Sequence, residues 1–303
     1  MFKTKEIINK NPRLNHIHVF NDDISCKICP NLGGSIQEFS HKNIDILDGI
    51  EFSEKGLKSY AEAYQSAILF PFVGRIPNGK YAFENRNYKL ETNETYRNNA
   101  LHGLVFNKSF KIDVIHTSNL EVKVQLSFVS DGTLKGYPFK FKLQITYSIS
   151  NNGLTINFNI TNQDSNSFPC GCGWHPYFKS ENLASSSLSF LSNEKLSCDD
   201  NLIPNVSSKN PEPSTFTLNH KSFDDTFILL KNEVNFKSNK YKLQMVFNEN
   251  HQSYLQIYTP FDRKNIAIEP VTSAPNAFNN KLGLLELKPN KTYNWNIKLK
   301  IIE

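Results

Sequence analysis

The sequence predicts an all-β protein, a large antiparallel twisted β-sandwich, and three observations carry that prediction. Apolar and polar residues alternate with period two over long stretches. An Asn-Asn-Gly turn joins two of these stretches, which marks a hairpin. Convincing helical periodicity is almost absent. A strand that is apolar on one side and polar on the other suits an antiparallel sheet with one face in a core and one toward water.

In chain order, the best helical candidate is short, around Leu57 to Gln65. Leu120, Val122, Val124, Leu126 and Phe128 then form an alternating strand. Phe139, Phe141, Leu143, Ile145, Tyr147 and Ile149 form another, with Lys, Gln144, Thr146 and Ser between them. After the turn Asn151-Asn152-Gly153, the pattern resumes at Leu154, Ile156, Phe158 and Ile160. The Ser/Asn/Pro-rich stretch from Asn205 to Ser214 reads as a surface loop, because strands continue on both sides of it. Tyr293, Trp295, Ile297, Leu299 and Ile301 form the last strand. No repeat or long linker interrupts the chain, so residues 1–303 are expected to be a single β-sandwich domain.

The composition excludes several classes of function. A formal charge of +5 is spread over 34 basic and 29 acidic residues with no basic run, which gives no footprint for nucleic acid or membrane. Arg13, Arg75, Arg86, Arg97 and Arg263 are the five arginines, too scattered for a forked phosphate clamp. No glycine-rich nucleotide loop appears. Met1 to Phe20 is polar, with no apolar core for a signal peptide or a membrane span. Five cysteines, an odd number, read as reduced thiols, so a cytoplasmic location is expected. Cys26-x-x-Cys29 and Cys170-x-Cys172 could offer zinc ligands, but both pairs lie in or beside strands, whereas structural zinc sits on tight knuckles. Buried thiols are the expectation, with no metal and no cofactor.

Four segments place functional side chains where strands end. In Gly171-Cys172-Gly173-Trp174-His175-Pro176-Tyr177-Phe178, an imidazole is pinned by proline and set among aromatics. The alternative is a histidine packed for shape. Phe70-Pro71-Phe72-Val73-Gly74-Arg75-Ile76-Pro77-Asn78-Gly79 constrains the backbone around Arg75, which could equally be a solvated turn arginine. Asn99-Ala100-Leu101-His102-Gly103 puts a glycine beside His102, allowing another group to approach closely. Asn265-Ile266-Ala267-Ile268-Glu269-Pro270 ends an apolar strand on a carboxylate. Desolvation there would raise its pKa and suit it to proton transfer, unless it is simply ion-paired. Phe223-Asp224-Asp225-Thr226-Phe227 adds two carboxylates at a strand start, either of which could cap a turn. Two histidines, a glutamate, an arginine and an aspartate, without a nucleophile motif, suggest acid/base work on a neutral polar substrate such as a sugar.

Taken in order, Gly74-Arg75 with Asn78-Gly79, Leu101-His102-Gly103, His175-Pro176-Tyr177-Phe178, Phe223-Asp224 and Glu269-Pro270 resemble the aldose 1-epimerases, or galactose mutarotases. Gly136-Tyr137-Pro138-Phe139 and Leu255-Gln256-Ile257-Tyr258-Thr259 are similar too, and the likeness runs from about Cys29 to the last strand. It implies a galactose mutarotase-like supersandwich that interconverts the α and β anomers of a free aldose without a cofactor. By that resemblance Glu269 is the general base on the anomeric hydroxyl and His175 the general acid on the ring oxygen. Arg75 and His102 would hold the ring oxygen and neighbouring hydroxyls, and Asp224 a distal one. Asp224 is chosen over Asp225 because it lies three residues before Phe227, as the family's aspartate does. Tyr258 is the candidate aromatic floor.

The chain departs from many members in two places. Its arginine motif is shorter, lacking a second Asn-Arg pair, and Leu104 follows His102-Gly103. That resembles the compact bacterial branch, whose substrates are less uniform. A hexose-6-phosphate 1-epimerase and a non-catalytic carbohydrate-binding protein on the same fold are the alternatives.

Overall fold

The period-two stretches become strands, and their register follows from the side chains that they bury. The computed structural model describes residues 1–208, 215–248 and 252–302. Lys140–Ser150 and Gly153–Asn162 pair antiparallel from Phe141 opposite Asn162 to Ser150 opposite Gly153. Phe141, Leu143, Ile145, Tyr147 and Ile149 are all buried on one face, as are Leu154, Ile156, Phe158 and Ile160. A one-residue slip would turn either row into water, so the register is strongly specified.

This hairpin lies within the main antiparallel sheet. On one side it is flanked by Glu121–Asp131 and then Lys111–Thr117. On the other lies Thr292–Ile302, so the last strand of the chain docks against the middle of the sheet. The order continues through Lys242–Phe247, Asp224–Lys237, Tyr254–Tyr258, Asn265–Val271, Gly173–His175 and Ala67–Leu69. The long strand Asp224–Lys237 is shared: its first half pairs with Tyr254–Tyr258 and its second with Lys242–Phe247. A second antiparallel sheet runs Lys3–Ile7, His16–Phe20, Ile24–Cys29, Ser35–His41 and Ile44–Asp45. Its Ile28, Ile36 and Phe39 share one apolar core with Ile145, Tyr147 and Phe158 of the main sheet. The Tyr147 hydroxyl crosses between the sheets to donate to the Gly34 carbonyl at 2.6 Å. The architecture is the expected all-β sandwich.

Three local expectations are corrected. The helix spans Glu54–Ala63, several residues earlier than expected, because the Ser53 hydroxyl accepts from the Gly56 N–H and caps its start. Tyr64, in the left-handed conformation, ends it. Leu120 lies before its strand and is exposed. In the expected loop from Asn205 to Ser214, Pro204–Ser208 is a strand paired with Ser187–Cys198, and residues 209–214 lie outside the described residues. No described helix is long and apolar enough to cross a membrane.

Candidate active site

Strand register gathers the site. Asp224 lies opposite Tyr258, Tyr258 opposite Ala267, and Gln256 opposite Glu269. Because side chains alternate across a strand, Asp224, Gln256, Tyr258 and Glu269 all project from one face of the sheet. The other parity, Leu255, Ile257, Ile266 and Ile268, is fully buried in the core. Alternation also separates the two neighbouring aspartates. Asp224 lines the cavity, while Asp225 turns to an ion pair with Lys195 at 3.2 Å.

His175 arrives on Gly173–His175, wedged between Ala67–Leu69 and Asn265–Val271. A β-carbon on Gly173 would sit 2.6 Å from Val271 Cγ1 and 3.0 Å from the Pro270 carbonyl oxygen. Glycine therefore permits the close approach that brings His175 beside Glu269. Trp174 points away from the cavity, and its indole N–H donates to the Ser66 hydroxyl at 2.8 Å. Tyr177 stacks on the His175 ring at 5.1 Å.

Arg75 and His102 come from a two-stranded ribbon in which Arg75–Pro77 pairs with Asn99–Leu101, placing Leu101 opposite Arg75. The His102 N–H donates to the Gly74 carbonyl at 2.9 Å, and that of Leu104 to the Phe70 carbonyl at 2.7 Å. Gly103 has a positive φ, and a β-carbon there would lie 2.3 Å from the Phe70 carbonyl oxygen. Its purpose is thus to let two loops lock together rather than to clear space at the imidazole. The end of the helix contributes as well: the Tyr64 ring lies 4.7 Å from that of His102.

All five residues singled out in the sequence, Arg75, His102, His175, Asp224 and Glu269, line one cavity of about 560 Å³. His175 Nε2 lies 3.4 Å from Glu269 Oε1, and both residues are buried. The rings of His102 and His175 meet edge to face at 4.8 Å. Burial pushes the Glu269 carboxyl well above the usual range, with the negative charge of Asp224 adding to the effect. Burial lowers the His175 imidazole to about 4, and it takes His102 well below its ordinary value, with His175 and Arg75 adding. The Asp224 carboxyl is raised by burial, against the pull of Arg75.

Sequence reasoning missed two supports. Gln256 donates to Asp224 Oδ1 at 2.8 Å and accepts from the Thr226 hydroxyl. A glutamine between Leu255 and Ile257 was the available signal. Glu94 receives the Arg75 guanidinium, and nothing local marks it. Tyr258 does line the cavity, as one of four tyrosines with Tyr64, Tyr96 and Tyr177.

Among the described residues, only His102, His175 and Glu269 bring three metal-ligating groups together, with donor atoms within 4.8 Å of one another. The Nδ1 atoms of both histidines lack a protein hydrogen-bond partner. Metal-bound histidines almost always have one there, which orients the ring. The trio is therefore better suited to moving protons than to holding an ion. Cys26, Cys29, Cys170 and Cys172 are all buried and free, with their thiols pushed up by burial.

The family model for aldose 1-epimerase matches residues 17–300. The chain belongs to the aldose 1-epimerase family. Among relatives, the Escherichia coli K12 protein YihR is 25% identical over 246 residues, covering 76% of this chain and 77% of its own. The pig galactose mutarotase is 28% identical over 155 residues, covering 49% of this chain and 44% of that one. A galactose mutarotase-like protein from Clostridium acetobutylicum superposes with a TM-score of 0.88 at 21% identity, over 100% of this chain and 99% of that one. That likeness shows the fold, which in this chain carries the cavity on one face of the main sheet.

Proposed function

We propose that the chain is an aldose 1-epimerase that interconverts the α and β anomers of a free hexose, acting as one β-sandwich domain over residues 1–303. The observation that carries this reading is the adjacency of Glu269 and His175. In a cyclic aldose, the anomeric hydroxyl and the ring oxygen are bonded to the same carbon. A base for one and an acid for the other must therefore sit side by side, as these two groups do at 3.4 Å. Glycoside hydrolysis instead asks for two carboxylates about 5 Å or more apart.

In the forward direction Glu269 removes the proton from the anomeric hydroxyl while His175 delivers one to the ring oxygen. The C1–O5 bond breaks, giving the open aldehyde. Rotation about C1–C2 presents the other face of the carbonyl, and re-closure with the proton transfers reversed forms the second anomer. The pair carries one proton throughout. Burial rests it on Glu269 before the sugar binds, and it passes to His175 as the sugar binds. The imidazolium then gives it to the ring oxygen while the carboxylate takes the anomeric proton. Desolvation serves the chemistry, because a carboxylate with a raised pKa is a stronger base. Arg75 and His102 hold the ring oxygen and neighbouring hydroxyls, and Asp224, braced by Gln256, holds a distal hydroxyl. A binding protein would need the hydrogen-bonding residues but not a buried acid beside a buried base.

Polarimetry on freshly dissolved α-D-glucose and α-D-galactose tests the reading, with wild type beside His175→Ala. Fast relaxation to the equilibrium rotation, lost in the variant, is the expected result. No acceleration with either sugar would overturn the assignment to these free hexoses and turn the search to sugar 6-phosphates.

A further inference from the structure

Glu94 is the most heavily engaged carboxylate at the cavity, and no motif of the sequence points to it. It sits on a tight hairpin in which Glu94 and Asn99 exchange backbone hydrogen bonds. Its side chain is 4% exposed. Arg75 donates to it from Nε, at 3.1 Å to Oε2 and 3.2 Å to Oε1, and from Nη2 at 3.1 Å to Oε1. Asn99 Nδ2 at 2.7 Å, the Tyr96 hydroxyl at 3.2 Å and Arg97 Nη1 at 3.3 Å complete the set. Among the described residues, Arg75 Nη1 has no protein partner. The fork on Glu94 thus takes one edge of the guanidinium and leaves the other for the cavity.

We propose that Glu94 is the positioning residue of this site: its carboxylate aims the Arg75 guanidinium into the sugar cavity and offsets its charge there. The inference rests on the epimerase reading and adds a residue to it.

Both halves of the proposal have visible consequences. The charged and titratable groups around Glu94 are Arg75, Arg97, Tyr64, Tyr96 and Asp224. Tyr64, Tyr258 and Cys198 feel Arg75, as do four groups of the site, Asp224, His102, His175 and Glu269. Arg75 lowers the pKa of each of these four, and Glu94 acts the opposite way on Asp224. Burial raises the Glu94 carboxyl, but the hydrogen bonds from Arg75 and Asn99 outweigh it and hold the group below the usual value. Removing its charge would leave Arg75 and Arg97 uncompensated at the cavity wall. The proton affinities of the His175–Glu269 pair would then fall together.

The test compares wild type, Glu94→Gln and Glu94→Asp in mutarotation across the pH range where each is folded. Glu94→Gln is expected to lose about 10²-fold in kcat/KM through misplacement of Arg75, with both limbs of its pH profile displaced to lower pH. Glu94→Asp keeps the charge but shortens the reach, so it should lose rate with its profile left in place. A purely structural role would reduce the amplitude in both variants without moving either profile. Glu94→Gln with a profile superimposable on wild type would overturn the inference. If that variant does not fold, wild-type kcat/KM in Glu94→Asp overturns it instead. A wild type that accelerates no anomerisation sinks the epimerase reading alone. Glu94 is then judged by calorimetric sugar affinity, where unchanged affinity in the variants overturns it.

Discussion

His175 and Glu269 face one another with Nε2 and Oε1 3.4 Å apart, on neighbouring strands of one sheet and buried from solvent. Burial drives their proton affinities in opposite directions, up for the carboxyl and down for the imidazole. Both shifts favour the uncharged forms, because a low-dielectric cavity penalises charge on either group. Before a sugar binds, the proton of the pair therefore rests on Glu269. It must cross the 3.4 Å to His175 as the sugar binds before Glu269 can serve as the proposed base and His175 as the proposed acid.

Replacing Glu269 with Gln keeps the shape and removes the proposed base. Turnover is expected to fall by about 10²–10⁴-fold, with sugar affinity by calorimetry near that of wild type. Near-full turnover in the variant would mean that Glu269 is not the base.

Gly173→Ala tests the packing that brings the pair together. Its β-carbon would meet Val271 Cγ1 at 2.6 Å and the Pro270 carbonyl oxygen at 3.0 Å. Overpacking of this kind costs about 1–3 kcal/mol, measurable as a lower urea midpoint. The strand carrying His175 must also shift from the one carrying Glu269, so kcat should drop more than the stability loss alone explains. Wild-type stability and wild-type turnover together would show that the contact does not govern the spacing.

The histidine sets an acid-side stability limit. Its folded pKa of about 4 lies below its ordinary value of 6.5. A group depressed by folding contributes stability that is present above its unfolded pKa and is lost as pH falls through the folded one. A shift of this size corresponds to about 3 kcal/mol. Glu269 works in the opposite sense: raised by folding, it contributes below its unfolded pKa, and that contribution is lost as pH rises through the folded value. Urea midpoints measured between pH 6.5 and 4 should therefore fall less in His175→Gln than in wild type. Equal falls would mean that the imidazole is not desolvated in the folded state.

The hairpin from Lys140 to Asn162 was legible because its signals are local: strict alternation and an Asn-Asn-Gly turn read the same in any window of the chain. The helix was misplaced for an equally local reason, since Ser53 and Tyr64, which bound it, lie outside the apolar pattern. The five site residues could be named because Arg75, His102, His175 and Glu269 each stand beside glycine or proline and Asp224 opens a strand, and because five such segments in one order resemble a family. Their convergence on one cavity was not in the pattern. Register between distant strands sets it, turning Asp224 inward and Asp225 outward and laying Gln256 against Asp224.

By itself, then, the sequence determined the fold class, the long alternating strands and the candidate side chains of the site, because alternation and turn chemistry are properties of neighbouring residues. Only the tertiary structure decided what those side chains are to one another. The 3.4 Å between His175 and Glu269, the desolvation that shifts both, and the hold of Glu94 on Arg75 arise where segments remote in the chain pack together. Proton affinity depends on the surroundings that such packing creates rather than on the residue alone.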